Sequence, residues 1–242
     1  MRKQLGEFLS RVGIGWGTSF NGSLEYELRG SRPRPLVTGT SRLDYEWDVG
    51  LPWYLKNLQG PRVLDTGFVE HLEFTKLLVR LGFEVYGIDI KAFDSDKEGF
   101  TSFKEYVWKT PFVDGYLDLI VANSLFEHLG LKCYGQPEFS GAQQATAEEF
   151  RRVLKPNGVL LMQVPYGMYS ILVKSKGVDF YRVLTRGALF GLLKGLEIEN
   201  KTFYVRSHKG WVEVSESIAN KVKIGGSLPN CLAYIKAVKR DE

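Results

Sequence analysis

The stretch RVLDTGFVEHLEFTKLLVRLGFEVYGIDI, residues 62–90, predicts a strand, a tight turn, a helix and a second strand. Between its two short apolar runs, apolar residues recur at i, i+3, i+4 and i+7, which is the spacing of an amphipathic helix. These residues are Phe74, Leu77, Leu78 and Leu81, and Gly82 is placed to end the helix. In a parallel sheet, such a unit brings a loop and a helix N-terminus to the strand ends where α/β proteins bind ligands.

An acid, Asp89, ends the second strand of this unit. In nucleotide-binding α/β folds, an acid at this point accepts hydrogen bonds from ribose hydroxyls, and the helix N-terminus attracts anionic groups. The stretch therefore predicts a site for a cofactor that contains a nucleoside.

Length and composition limit the class of protein. The 242 residues, 44% hydrophobic and 25% charged, can bury the core of one globular domain with additional elements. The net charge of +4 comes without a long Lys/Arg block, so the charge pattern gives no nucleic-acid footprint. Cys133 and Cys231 lack the spacing of a zinc or redox motif, and we find no signal-peptide pattern or membrane-spanning apolar run. We expect a cytoplasmic protein with no metal site and no membrane partner.

Residues 1–60 form an aromatic and Arg-rich extension before the first strand. Four arginines with no acid among them fall between positions 29 and 42. This arm is either a solvated loop kept extended by prolines, the reading we favour, or an anion-binding arm over the active site. Pro52 predicts a helix over residues 52–58, because proline suits a first helical turn. We assign residues 1–60 to an extension that could cap the substrate, and residues 61–242 to the main domain.

Strands and helices alternate through the rest of the chain, and two continuous apolar runs predict strands buried on both faces. Two final strands follow each other with no helix between them. This order predicts an α/β protein with a mainly parallel sheet and an antiparallel edge. The further predicted strands cover residues 100–108, 117–123, 158–165, 196–207 and 231–239, and the further predicted helices cover residues 145–154 and the segment after Thr185.

Four segments at the carboxyl ends of predicted strands carry a family resemblance. They are VLDTG at 63–67, VYGIDI at 85–90, TPFVDGYLDLIVANSLFEH at 110–128 and LKPNGVLLMQVP at 154–165. In this order and spacing they resemble the class I S-adenosylmethionine-dependent methyltransferases. EHLGLKCYGQP at 127–137 further resembles a branch with an EHxGLxxYGxP loop, and YEWDVGLPW at 45–53 is similar to an aromatic segment that precedes the first strand there.

The resemblance implies a Rossmann-like methyltransferase fold, with a mainly parallel seven-stranded sheet, an antiparallel C-terminal hairpin and helices on both faces. It also implies S-adenosylmethionine as the cofactor. Asp65 and Gly67 would hold the loop against the methionine part, and Asp89 would bind both ribose hydroxyls. The remaining implied cofactor residues are Glu70, His71, Ile90, Asn123, Ser124, Leu125 and, in the adenine-reading loop, Tyr106 or Glu105; Tyr134 and Tyr166 are the implied acceptor-pocket residues.

The glycine-rich loop departs from the GxGxG pattern of this superfamily. It reads Gly67, Phe68, Val69, Glu70, His71, with one glycine left. A β-branched residue is strongly disfavoured at positive φ, so either the loop follows another path or the cofactor site is impaired. Glu70 stands where the branch often has a glutamate, which favours a rearranged and functional loop. His71 either binds the cofactor or only satisfies polar groups at the helix start.

Glu127 and His128 are the candidate catalytic residues. Methyl transfer needs mainly alignment, and a hydroxyl acceptor also benefits from a general base, by about 10²- to 10⁴-fold. His128 follows the fourth strand, where the acceptor would stand, and an imidazole can accept a proton near neutrality. The alternative is that Glu127 and His128 form a structural hydrogen-bonded pair.

The leading functional hypothesis is O-methylation of a small-molecule or sugar-like acceptor. One alternative is a methyltransferase-like binding protein that has lost catalysis, and another is an RNA-modifying methyltransferase that uses the arginine arm. A nicotinamide-dependent oxidoreductase is a weaker alternative, because the GxGxxG fingerprint is absent. Nucleic acid is not the expected partner, and the sequence sets neither the acceptor nor the oligomeric state.

Overall fold

A computed structural model describes residues 45–223 and 228–240 of the chain. The strands are β1 (Arg62–Thr66), β2 (Glu84–Ile88), β3 (Thr101–Phe103), β4 (Leu117–Asn123), β5 (Leu154–Pro165), β6 (Ile171–Ser175), β7 (Val178–Val183), β8 (Glu197–Ser207), β9 (Gly210–Val214) and β10 (Cys231–Val238). The α-helices are α1 (Glu46–Asn57), α2 (Leu72–Arg80), α3 (Ala142–Val153), α4 (Arg186–Leu192) and α5 (Glu216–Ala219). The arginine arm at residues 29–42 lies outside the described residues.

Eight strands form the main sheet, in the order β3-β2-β1-β4-β5-β10-β8-β9. The first five strands of this order run parallel, and β10 is antiparallel to both β5 and β8. This confirms the mainly parallel sheet with an antiparallel C-terminal part. The sheet has one strand more than the predicted seven, because β9 turns back and pairs with the outer edge of β8.

The opening unit forms as the sequence predicts. β1 pairs with β2 and β4 in parallel register, so it lies inside the parallel half of the sheet. α2 buries Phe74, Leu77 and Leu78, the residues with helical spacing. Gly82 adopts φ +88°, which favours glycine and ends the helix.

Two apolar layers cover the two faces of the sheet. Along β1, successive side chains alternate between them: Val63 packs with α1 and α2, and Leu64 packs with α3 and α4. Helices therefore lie on both faces, as predicted. None of the helices in the described part of the chain is long and apolar enough to cross a membrane.

α1 begins earlier than the helix predicted from Pro52. The carboxylate of Asp48 accepts a hydrogen bond from the Tyr45 N–H at 2.9 Å, which starts the helix ahead of the proline. The prediction that Pro52 occupies the first turn was therefore wrong. α1 buries Val49 and Tyr54 in the same layer as α2, so this part of the predicted extension contributes to the core of the main domain.

The loop after β4 is fixed by Gly130, the glycine of the EHxGL motif. This loop contains the 3₁₀ turns Phe126–His128 and Cys133–Gly135. Gly130 adopts φ +72°, and a Cβ there would lie 2.0 Å from the carbonyl oxygen of Phe139. In return, Phe139 N–H donates to the carbonyl of Gly130 at 3.2 Å. Both the backbone conformation and the close approach therefore require glycine.

We expect Gly130→Ala to destabilise the protein more than Gly177→Ala. Gly177 also has positive φ, at +81°, but no atom lies within 4 Å of the Cβ position. Gly177→Ala should therefore show only the backbone penalty of about 1–2 kcal/mol, and Gly130→Ala should add about 1–3 kcal/mol for the steric overlap. Urea denaturation of both variants measures the difference, and equal losses would contradict the close approach.

Candidate functional site

The carboxyl ends of β1, β2 and β4 bring together segments that are far apart in the sequence. The N–H of Gly67, after β1, donates to the carbonyl of Ile88 in β2 at 2.8 Å. A side-chain methyl of Leu125, after β4, lies 3.8 Å from the position that a Cβ of Gly67 would take. Three of the segments predicted to bind a cofactor therefore meet at one edge of the sheet.

The loop after β1 follows a path that suits its unusual sequence. Gly67 takes the left-handed conformation, at φ +70°, and residues Phe68–His71 form a 3₁₀ turn. Among the described residues other than glycine, positive φ occurs only at Ser124, Tyr134, Asn157 and Lys176, so Val69 avoids it. Of the two alternatives left by the sequence, the loop takes the different path.

Phe68 anchors this turn in the core. Its ring is fully buried and packs 5.3 Å from the ring of Phe100. A Cβ on Gly87 of β2 would lie 2.8 Å from the Phe68 ring, so glycine at position 87 makes room for it. The residue that follows Gly67 thus replaces a flexible glycine loop with a packed turn.

Asp65, in β1, also holds this loop in place. Its carboxylate is fully buried, and its two oxygens pair with His71 Nε2 at 3.0 Å and with the Thr75 hydroxyl at 2.7 Å. Burial alone lowers the pKa of His71, but the charge and hydrogen bond of Asp65 outweigh it, and the pKa of His71 is raised above its ordinary value. The Trp47 ring, 5.7 Å from the imidazole, covers the pair from α1. His71 therefore carries positive charge more readily than an exposed histidine.

Asp89 presents a buried carboxylate at the end of β2. One oxygen accepts the N–H of Lys91 at 2.8 Å and the other accepts the N–H of Val69 at 3.3 Å. Burial raises the pKa of Asp89, and these two backbone hydrogen bonds act in the opposite direction. Because a carboxylate offers about four acceptor positions, each oxygen can still accept a further hydrogen bond.

Asn123 is the last residue of β4, and Ser124 follows it next to this loop. Asn123 accepts the hydroxyl of Tyr54 at 2.9 Å, which ties α1 to the strand end. Ser124 has φ +51°, and its hydroxyl donates to Glu127 Oε1 at 2.5 Å. The strained backbone at Ser124 turns the chain so that Glu127 folds back against the strand end.

Glu127 is a buried acid with a displaced pKa. Its side chain is 1% exposed, and Oε2 has no hydrogen-bond partner among the described residues. Burial raises the pKa of Glu127 to about 8, even though the Ser124 hydroxyl favours the ionised form. Glu127 therefore changes its charge close to neutral pH.

His128 is held in a neutral form. Burial lowers the pKa of His128 to about 4, and Nδ1 lies 2.6 Å from the carbonyl of Phe180. Since a carbonyl only accepts hydrogen bonds, Nδ1 carries the proton and Nε2 keeps its lone pair. Nε2 lies 4.0 Å from Glu127 Oε1, which is too far for a hydrogen bond. The two predicted catalytic residues are thus neighbours without a direct bond.

Tyr134, a predicted acceptor-pocket residue, lies beside His128. Its exposed ring meets the imidazole edge-on at 5.1 Å. Lys91 Nζ lies 4.8 Å from the ring centroid and 3.9 Å from Glu70 Oε1. Tyr134 and Lys91 therefore connect the loop after β4 with the loops after β1 and β2.

Two other predicted residues have their aromatic contacts outside this group. Tyr166 is fully buried, packs 5.0 Å from Phe203 and donates its hydroxyl to Asn220. It is a core residue, and we correct its expected position in the acceptor pocket. Tyr106 follows β3, is partly exposed and stacks on Trp108 at 4.6 Å. β3 ends at Phe103, before the predicted position 108, because residues 104–108 form this aromatic turn.

Sequence reasoning missed Tyr54, Gln163 and Phe180. Gln163 gave a usable signal, since it is the one polar residue within the apolar run VLLMQVP. Phe180 gave none, because it acts through its backbone carbonyl. The described residues contain no group of three or more His, Cys, Asp or Glu side chains that could hold a metal ion.

Comparison with protein families gives a match to a methyltransferase domain over residues 41–190. The matched range includes α1 and every element that forms the edge described above. Comparison with curated proteins gives no match.

Solved structures with a similar fold share little sequence with this chain. An S-adenosylmethionine-dependent methyltransferase from Methanosarcina mazei is 18% identical, with a TM-score of 0.53 over 83% of this chain and 100% of that chain. The 1,6-didemethyltoxoflavin-N1-methyltransferase from Burkholderia thailandensis, solved with S-adenosylhomocysteine, is 13% identical. Its TM-score is 0.52, over 79% of this chain and 76% of that chain. The [4+2]-cyclase SpnF is 16% identical, with a TM-score of 0.56 over 98% of this chain and 94% of that chain.

The similarity to these structures concerns the fold, while the family match covers more than half of the chain. The match also includes the segments whose ends meet at Gly67, Asp89 and Ser124. The chain therefore belongs to the methyltransferase-domain family, within the class I S-adenosylmethionine-dependent methyltransferases.

Proposed function

We propose that the protein transfers the methyl group of S-adenosylmethionine to a hydroxyl of a small-molecule or sugar-like acceptor. The observation that carries the proposal is a buried acid, Glu127, beside the residues that would hold the methyl donor. Ser124 connects the two, because it follows β4, stands next to Leu125 in the chain and donates to Glu127.

The chain's residues fit the cofactor in two respects. Gly67 has open space on the side where a Cβ would stand, apart from Leu125 at 3.8 Å. Asp89 retains acceptor capacity for the two ribose hydroxyls, as argued from its two backbone hydrogen bonds. When bound, S-adenosylmethionine supplies an electrophilic methyl group, and the protein's task is mainly alignment.

His71 is suited to the carboxylate of the methionine part. Its raised pKa favours the imidazolium, and Asp65 is the only hydrogen-bond partner of its ring among the described residues. Because Nε2 of His71 bonds to Asp65, Nδ1 of the imidazolium remains available to donate a hydrogen bond to the cofactor carboxylate. A charged donor would thus replace the backbone contacts that a glycine-rich loop provides.

Of the two predicted catalytic residues, Glu127 is the stronger base. In its ionised form it would take the proton of the acceptor hydroxyl while the oxygen forms a bond to the methyl group and the bond from that methyl group to the sulfonium sulfur breaks, which leaves S-adenosylhomocysteine. His128, whose pKa is about 4, accepts a hydrogen bond through Nε2 and orients the hydroxyl. The RNA-modification alternative depends on the arginine arm, which lies outside the described residues.

Asp89→Ala and Asp89→Asn should weaken the binding of S-adenosylhomocysteine. We expect a loss of about 10- to 100-fold for each, because a hydrogen bond to a charged group contributes about 1.5–3 kcal/mol. Titration calorimetry measures both variants beside Asp94→Asn, which removes the same charge from an exposed part of the loop after β2. Unchanged affinity in the Asp89 variants, or no binding by the wild-type protein, would refute the proposal.

Cofactor affinity should fall as pH rises. Because the pKa of His71 is raised, its imidazolium is present below that pKa and is lost as pH increases through it. We expect affinity for S-adenosylhomocysteine to drop about tenfold as pH rises through the raised pKa of His71. His71→Gln should bind weakly with a flat profile, and a wild-type profile as flat as that of the variant would exclude the role.

The pKa of Glu127 predicts a pH dependence of stability. The folded-state pKa, about 8, exceeds the usual value of 4.5, so the stabilising contribution is fully present below pH 4.5 and is lost as pH rises through 8. The loss is on the order of 1.4 kcal/mol per pH unit. Glutamine resembles the protonated acid, so the free energy of unfolding of Glu127→Gln should fall less over this range.

Urea denaturation at several pH values provides the comparison. Glu148→Gln removes an exposed carboxylate on α3 and serves as the control, with a profile parallel to that of the wild type. A Glu127→Gln profile that also stays parallel would mean that the pKa of Glu127 is not displaced.

A further inference from the structure

We propose that Gln163, Tyr181 and Glu127 form the polar wall of the acceptor pocket and bind neighbouring hydroxyl groups of the acceptor. This inference rests on the proposed function, because it concerns the acceptor of the same reaction. It assigns a role to Gln163, which no sequence motif singles out, and places Tyr181 beside it.

The three side chains share an unusual property: each is buried, and each has polar atoms without a partner. Gln163 is 1% exposed, Tyr181 is 3% exposed and Glu127 is 1% exposed. Both amide atoms of Gln163, the hydroxyl of Tyr181 and Oε2 of Glu127 have no hydrogen-bond partner among the described residues. Buried polar groups are nearly always paired, so three such groups require an explanation.

Gln163 and Glu127 are connected through the end of β4. Gln163 on β5 is in register with Asn123 on β4, so both side chains point to the same face of the sheet. The carbonyl of Gln163 accepts the N–H of Ser124 at 3.2 Å, and the hydroxyl of Ser124 holds Glu127. The amide and the acid therefore lie on either side of the residue that follows the strand.

Tyr181 approaches the same place from β7. The carbonyl of its neighbour Phe180 binds His128, which fixes β7 against the turn that carries Glu127. Burial, followed by the charges of Glu46 and Glu127, raises the pKa of Tyr181 to about 12, so its hydroxyl lies within electrostatic reach of both acids. α1 closes the remaining side, since Tyr54 binds Asn123 and Glu46 lies in the first turn of α1.

Hydrogen-bond complementarity suits a hydroxyl group as the partner of this wall. Gln163 offers a donor, its amide nitrogen, and an acceptor, its amide oxygen, and a hydroxyl both accepts and donates. A hydroxyl accepts from Gln163 and donates to Glu127 at the same time. Two neighbouring hydroxyls would also supply a partner for Tyr181, which both donates and accepts.

The first measurement needs no acceptor. An unpaired buried polar group destabilises the free protein, so replacing it with an apolar group of similar shape should raise the melting temperature. We expect Gln163→Met and Tyr181→Phe each to raise it by about 2–4 °C. Gln143→Met and Tyr54→Phe, which remove groups paired with Phe126 and Asn123, should lower it by about as much.

The second measurement tests the recognition of hydroxyl groups. The protein is saturated with S-adenosylhomocysteine, and NMR titration compares three sugars with one skeleton: methyl glucoside and its 2-deoxy and 3-deoxy analogues. We expect methyl glucoside to bind about tenfold more tightly than the two analogues, because each lacks one hydroxyl group. Gln163→Met should abolish this preference, while its affinity for S-adenosylhomocysteine stays within about twofold of wild type.

The outcomes separate this inference from the function on which it rests. A wild-type protein that does not bind S-adenosylhomocysteine contradicts the proposed function itself. If S-adenosylhomocysteine binds but Gln163→Met and Tyr181→Phe lower the melting temperature as the controls do, these residues are structurally paired and the polar wall does not exist. Equal binding, or equal absence of binding, of the three sugars overturns the recognition of hydroxyl groups by this wall.

Discussion

The buried carboxylate of Asp65 is the contact on which the site depends. It receives the imidazole of His71 and the hydroxyl of Thr75, so the end of β1, the 3₁₀ turn and the first turns of α2 are held by one charge. Breaking a buried pair leaves an uncompensated charge, which typically destabilises a protein by about 3–5 kcal/mol. With the turn fixed in this way, the N–H of Val69 reaches Asp89 and joins the ends of β1 and β2.

The parts of the fold that local patterns specify could be predicted from the sequence. The helical spacing from Phe74 to Leu78 and the apolar run at 117–123 predicted α2 and β4, because burial on one or both faces of an element determines which of its positions are apolar. The ribbon of β6 and β7 and the edge strand β9 were not predicted. Few of their residues are buried, and these residues are mixed in polarity, so pairing between backbones, rather than burial, makes them strands.

The site shows a similar division. Motif positions identified Asp89, Glu127 and His128 as residues of interest, because the types and the order of these side chains are visible in a sequence. Their chemical states depend on burial and on partners elsewhere in the chain: the carbonyl of Phe180 sets the tautomer of His128, and burial makes Glu127 the stronger base of the two. No local pattern contains that information.

α1 has a practical consequence for any shortened form of the protein. A boundary drawn before the first strand, at residue 60, would remove the helix whose Trp47, Val49 and Tyr54 cover the apolar layer of α2. The fragment would present Phe74 and Tyr234 to solvent as a continuous aromatic surface, and such surfaces promote aggregation. Expression of a domain that begins at residue 61 should therefore yield insoluble material, whereas the helix retained from Tyr45 onward keeps the aromatic layer closed.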